Sequence, residues 1–318
     1  MKKLRVGVVG AGYLGRFHAE KYARMDDVEL VGVVDIDKSQ AEEVAGRFNT
    51  KAFLRHEYLF GKVDAVSIVV PTPAHFSVAK DFLENNIDVL IEKPMSETTE
   101  QADELIGFAK SRSLIIQVGH LERFNPAVVA LRDIIKQPMF IESHRLSIYK
   151  DRCTDVSVVL DLMIHDIDII MNFVRSEIVN IHAAGIPVSS GHVDIANARL
   201  EFKSGCIANV TASRISTKNE RKIRLFQKDT YISVDFANQG ITVIQRNDKV
   251  EGGLIPGMEI KQISFAKGDA LENELKSFVK TIRRREAPEV TGQMGRDALK
   301  IALNIMEQIR DTNRRFLS

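Results

Sequence analysis

The stretch that most restricts the fold stands at the start of the chain: Val8-Val9-Gly10-Ala11-Gly12-Tyr13-Leu14-Gly15. Three glycines at this spacing occur in many tight turns, so the pattern alone permits a structural turn or a cradle for a dinucleotide. Its context is more informative. An apolar run of strand length, 4–9, precedes it, and helical spacing over 17–24 follows. In that setting Gly10 permits the tight turn, Gly12 lets the backbone approach a pyrophosphate, and Gly15 lets helix and strand pack closely. The helix start then offers N–H groups and partial positive charge to phosphate oxygens. A second strand, 28–34, ends at Asp35, twenty residues beyond Gly15. An acid there suits the adenosine ribose hydroxyls and repels a 2′-phosphate, which favours NAD over NADP, although Lys38 softens the preference.

Up to about residue 120, short β-branched runs alternate with helical patterns. Strands are expected at 65–70, 89–91 and 114–118, and helices at 39–48, 74–85 and 100–110. Strands with little polar alternation are buried on both faces, as in a parallel sheet. Residues 1–120 therefore read as a doubly wound α/β Rossmann domain that binds NAD. Beyond that the rhythm changes. A helix is expected at 125–136, a strand at 140–149 and a long helix at 157–174. Strands follow at 178–186, 193–202, 206–214, 221–226, 231–236 and 241–245, then helices at 270–285 and 294–310. Turn signals such as Lys203-Ser204-Gly205 suit antiparallel hairpins. Residues 121–318 thus read as an α+β domain with a large, mostly antiparallel open sheet, serving substrate binding and oligomerisation.

A chain of 318 residues has room for two such domains. Its formal net charge of +1 gives no global field for nucleic acid or a membrane surface, so any anion site must be local. No apolar stretch reaches membrane-spanning length. Two lysines before a short apolar run faintly imitate a signal peptide, but the run is short and leads into a glycine turn, so it reads as the first strand. Cys153 and Cys206 have no cysteine or histidine at metal spacing, which argues against a disulfide framework, a structural zinc or any metal site. The expectation is a soluble, cytoplasmic protein.

Two loops leave strands at the ends where open α/β sheets bind ligands. Val70-Pro71-Thr72-Pro73-Ala74-His75 makes a rigid wall able to flank a cofactor, or a plain strand-to-helix connection. In Glu92-Lys93-Pro94, a lysine beside a nicotinamide cation would have its pKa lowered and could hold a substrate hydroxyl; alternatively it is a surface lysine. His18 reads as a surface residue of the first helix. The helix VVLDLMIHDIDIIMNFV is apolar on nearly every side, yet Asp161, His165, Asp168 and Asn172 follow at steps of four, three and four, forming one narrow stripe. Such groups must be satisfied internally or face a cavity. Asp161 and His165 stand one turn apart, where a carboxylate can orient an imidazole as a general base needs; a satisfied core histidine is the alternative.

The glycine turn, the acid after the second strand, the Thr-Pro loop, Glu-Lys-Pro and the Asp-x-x-x-His helix together resemble the glucose–fructose oxidoreductase/inositol dehydrogenase/MocA family over essentially the whole chain. The resemblance implies an NAD(P)-linked oxidoreductase of sugars or cyclitols, with a homodimer or homotetramer expected by analogy. It implies catalysis by Lys93, Asp161 and His165, and cofactor contacts from Gly10, Gly12, Tyr13, Leu14, Gly15, Asp35, Thr72, Pro73, His75, Glu92 and Lys93. Non-catalytic sugar-sensing proteins share the architecture. Within the family, residues 119–126 (Gly-His-Leu-Glu-Arg-Phe-Asn-Pro) and Ser213-Arg214 with the basic strand after it are similar to bacterial UDP-N-acetylglucosamine 3-dehydrogenases, whose 3-keto products become 3-amino sugars for lipid A or O-antigen. That implies substrate contacts from His120, Arg123, Asn125, Asp161, His165, Arg214 and Lys218. Residues 214–228 also hold Arg221, Lys222, Arg224 and Lys228 against only Glu220, a local positive patch able to meet a diphosphate. Lys222 and Arg224 alternate with Ile223 and Leu225, so a solvated strand face explains them as well.

Overall fold

The β-branched runs of the first third fold as their lack of polar alternation requires: Val6, Val8, Val33, Val66, Ile68, Val89, Leu90 and Ile91 are all fully buried. A computed structural model of the chain describes residues 2–149, 156–238, 240–250, 255–265 and 268–317. Cys153 lies outside the described residues, whereas Cys206 is a buried free thiol. Six parallel strands, β1 (Leu4–Val9), β2 (Val28–Val34), β3 (Lys51–Phe53), β4 (Ala65–Ile68), β5 (Asp88–Glu92) and β6 (Ile116–Gly119), lie in the order β3-β2-β1-β4-β5-β6. The helices α1 (Tyr13–Ala23), α2 (Lys38–Arg47), α3 (His75–Glu84) and α4 (Thr99–Ser111) make the connections. The three-residue β3 has no counterpart among the expected strands, because it is too short to show a period.

The chain forms two compact units, Met1–Leu121 with Ala270–Leu299, and Glu122–Asp269 with Lys300–Ser318. The return segment was not anticipated in the sequence: its helix α7 (Ala270–Arg284) puts Leu275, Phe278, Val279 and Ile282 into one core with Leu4, Val6, Ala19 and Tyr22. α7 also carries Glu274, whose carboxyl is fully buried with no hydrogen-bond partner among the described residues. The long helix α8 (Gly292–Leu317) begins so close to β6 that a Cβ on Gly295 would stand 2.6 Å from Val118.

In the second unit, Glu122–Asp269 supplies α5 (Pro126–Leu131), β7 (Phe140–Leu146), α6 (Ile164–Val174), β8 (Ile178–Ile186), β9 (Ile195–Phe202), β10 (Ile207–Ser213), β11 (Glu220–Gln227), β12 (Thr230–Asp235), β13 (Gly240–Arg246) and β14 (Met258–Ser264). The sheet order is β14-β13-β12-β11-β7-β10-β9-β8, antiparallel throughout except for the parallel pair β7 and β10. Alternation of buried residues with half-buried or exposed ones along β7 and β9 gives the sheet an inner face, on which α6 packs against β7 and β10. The expected helix at 125–136 is shorter, starting where the Asn125 side chain accepts the Ala127 N–H at 3.0 Å. The expected continuous helix at 157–174 begins instead with a π-helical turn, Val159–Met163, before α6. β14, an edge strand with weak alternation, gave no sequence signal. Among the described residues no helix is long and apolar enough to cross a membrane.

Candidate functional site

Packing in the glycine turn of the first unit demands two of its three glycines, and the third leaves one side open. Gly10 has φ +102°, and a Cβ there would stand 2.4 Å from the Val69 carbonyl oxygen. A Cβ on Gly15 would stand 1.8 Å from the Gly10 oxygen, so β1 and α1 can pack this closely only with glycine. A Cβ on Gly12 would meet nothing within 4 Å, so that side of the turn is open. α1 starts there on Gly12, with no side-chain cap, at a helix end that attracts anions. Asp35 buckles the turn to the end of β2: its Oδ2 accepts from Ala11 N at 2.7 Å and its Oδ1 from Asp37 N at 2.9 Å. A cavity of about 720 Å³ runs past Gly10, Gly12, Asp35, Asp37, Arg55 and Pro71. An open glycine, an uncapped helix N-terminus and a carboxylate on the cavity wall fit the pyrophosphate and ribose of a dinucleotide.

The remaining expected cofactor residues sort differently. Tyr13 is exposed, its ring edge-on to Phe17 and under the Arg16 guanidinium, and Leu14 is half-buried. Thr72 and Pro73 lie in a single 3₁₀ turn, Thr72–Ala74. His75 is buried, with Nδ1 and Nε2 each 2.8 Å from a carbonyl oxygen, those of Pro94 and Val70. It joins the loops after β4 and β5. Burial lowers its pKa, against the opposing pull of those two carbonyls and of Glu92. Lys93 is half-buried and donates its backbone N–H to Glu92 Oε2 at 3.3 Å. Glu92 is buried against Gly119, and its Oε1 lies 3.2 Å from His18 Nε2. His18 is therefore not the surface residue expected: its ring is fully buried, because this face of α1 covers the sheet. His120 follows β6 and is also buried.

In the second unit, Asp161 stands in the π-helical turn and His165 in the first turn of α6; both are half-buried. The polar stripe divides along its length. Asp168 is buried, with Arg123 Nη1 3.5 Å from its Oδ1, while Asn172 is half-buried. Arg123 and Asn125, expected at the substrate, are themselves 2% and 6% exposed. Arg214 is 5% exposed, donates to the Val156 carbonyl at 2.5 Å, and has Nε 3.8 Å from Asp194 Oδ1. The Asp194 carboxylate accepts the N–H groups of Val188, Ser189 and Ser190 at 2.7–2.9 Å. Burial would raise its pKa, but the Ser190 hydroxyl and these amides hold it well below the carboxylate range. Lys218, by contrast, is exposed and paired with Glu220.

Three charged residues that were not among the expected site residues are buried together. Arg145 on β7 is buried and bonded to Asp166 and Glu122. A signal for it exists in the sequence, since Arg145 shares the inward phase of Ile141 and Ser143 along an alternating strand.

A Rossmann sheet with an open glycine turn and a carboxylate at the end of β2, followed in the chain by a large mixed sheet against a mostly apolar helix with a polar stripe, is the architecture of a two-unit nicotinamide-dependent dehydrogenase. Residues 4–120 match the family model described as "Oxidoreductase family, NAD-binding Rossmann fold", and residues 135–233 match the "GFO/IDH/MocA C-terminal domain". The chain belongs to the Gfo/Idh/MocA oxidoreductase family. It is 39% identical over 96% of its length to 97% of the UDP-N-acetylglucosamine 3-dehydrogenase of Acidithiobacillus ferrooxidans. A solved structure of that enzyme superposes with a TM-score of 0.91 at 37% identity, covering 97% of this chain and 98% of the other. The myo-inositol 2-dehydrogenase of Thermotoga maritima is 25% identical, with 93% of each chain covered.

Proposed function

We propose that this chain oxidises UDP-N-acetylglucosamine at C3 to the ketone with NAD as acceptor. The observation that carries the substrate is the 39% identity along 96% of the chain to the enzyme of that name, against 25% to an inositol dehydrogenase. The choice of NAD is supported by the cavity wall, where Asp35 and Asp37 would repel a 2′-phosphate and Arg55 is engaged by Glu57 at 2.8 Å.

When bound, nicotinamide supplies the acceptor for the hydride leaving the carbinol carbon. His165, oriented by Asp161, has the role of the general base that takes the hydroxyl proton, and Lys93 that of a hydrogen-bond donor to a substrate oxygen. Lys218 is exposed and suits contact with the diphosphate, whereas Arg123, Asn125 and Arg214 are buried and suit shaping the substrate's surroundings.

Incubation with NAD and a panel of UDP-N-acetylglucosamine, UDP-glucose, free N-acetylglucosamine and myo-inositol, followed by NADH absorbance, tests this reading. Reduction is expected with the UDP-linked amino sugar. Reduction by inositol or free sugar alone would overturn the substrate. NAD binding without reduction by any sugar would favour a sensor.

A further inference from the structure

We infer that Arg145 is a positioning residue that sets the rotation of the helix carrying His165. The inference rests on the proposed role of His165, and its geometry lies wholly within the second unit. Arg145 points from β7 to the inner face, 3% exposed. Its Nε lies 3.1 Å from both oxygens of Asp166, and its Nη2 is 2.7 Å from Asp166 Oδ1. Its third nitrogen, Nη1, donates to Glu122 Oε1 at 2.9 Å.

Asp166 is the residue directly after His165. A two-pronged guanidinium–carboxylate contact fixes orientation as well as distance, which a single bond to an ammonium cannot do. Holding Asp166 in this way fixes the angle of the first turn of α6, and so the direction in which His165 leaves the helix. This helix needs such a device for two reasons. Apart from Asp166 and Asp168, the residues it buries, among them Ile164, Ile167, Ile169 and Ile170, are apolar and lack direction. The turn before it is π-helical, so the preceding residues do not hand on an α-helical phase.

The same guanidinium anchors the segment after β6. Glu122 Oε2 accepts from Asn125 Nδ2 at 3.3 Å, and Arg221 Nη1 stands 3.8 Å from Glu122 Oε1. Burial would raise the Glu122 pKa, but Arg145 and Arg221 hold it below its ordinary value. Arg123 and Asp168 make a second tie one residue further along this segment. A buried ion cluster is weak support for stability, since apolar residues of similar volume often replace one without loss. What those residues would not supply is direction.

That difference supplies the test. The variants are E122M/R145M/D166L, which removes the whole cluster, and R145K, which keeps a charge without the fork. Each is measured for Tm, for kcat and KM with NAD and UDP-N-acetylglucosamine, and for the His165 imidazole NMR signals, assigned by their loss in His165→Gln. The triple variant is expected to retain a Tm close to that of the parent and its KM for NAD, while kcat falls about 10²-fold. R145K is expected to fall less. In both, the His165 signals should shift or split. A folded triple variant with unchanged kcat and unchanged His165 signals overturns the inference; should that variant not fold, the same result in R145K does so. If the parent oxidises no sugar, the proposed substrate fails, while the His165 signals still decide the role of Arg145.

Discussion

Asp35 is doubly committed before any cofactor arrives, one oxygen to Ala11 N and the other to Asp37 N. Each carboxylate oxygen has a further lone pair, so the residue can hold the glycine turn and a ribose hydroxyl together. Exposure separates the basic residues by role. Arg214 is buried against Val156 and Asp194, while Lys218 is exposed and paired with Glu220. At the proposed base, His165→Ala is expected to lose turnover by about 10²-fold or more while NAD affinity is kept. Steady-state kinetics beside NAD titration by fluorescence would check this, and unchanged turnover would remove His165 from the mechanism.

Among the elements, the π-helical turn Val159–Met163 is where the simple periodicity of the sequence misleads. Steps of four, three and four fit a regular α-helix, whereas Asp161 stands in the wider turn and His165 in the regular helix after it. Helix α7 holds a different surprise in Glu274. Burial, and then the Glu92 carboxylate, push its carboxyl pKa well above 4.5, so the folded chain keeps a proton that the unfolded chain releases. Stability from this residue is complete below that ordinary value and declines as pH rises toward the folded pKa. Glu274→Gln is therefore expected to raise Tm more at about pH 8 than at about pH 5, by thermal denaturation in matched buffers. Equal gains at both would show that the buried carboxyl is not protonated.

For the whole molecule, a ligand that binds only the folded state stabilises it by mass action. NAD at about 100 times its Kd is expected to add about 2.7 kcal/mol, read as a rise in Tm, with a smaller rise for NADP at equal concentration. Equal shifts would refute the discrimination assigned to Asp35 and Asp37. The Rossmann half was legible because its signals are local: β-branched runs, Gly10, Gly12 and Gly15, and Asp35 at the strand end. The eight-stranded sheet was legible in outline through its alternation, apart from the weak edge strand β14. The sequence by itself determined the class of fold, the nicotinamide cofactor and the candidates Lys93, Asp161 and His165, since these depend on spacing within one or two elements. Only the tertiary structure decided that Ala270–Leu299 returns to the first unit, that His18 is buried against Glu92, and that Arg145 joins Glu122 to Asp166. Those outcomes depend on which apolar faces and which buried charges meet across elements distant in sequence, and local periodicity carries no record of such pairings.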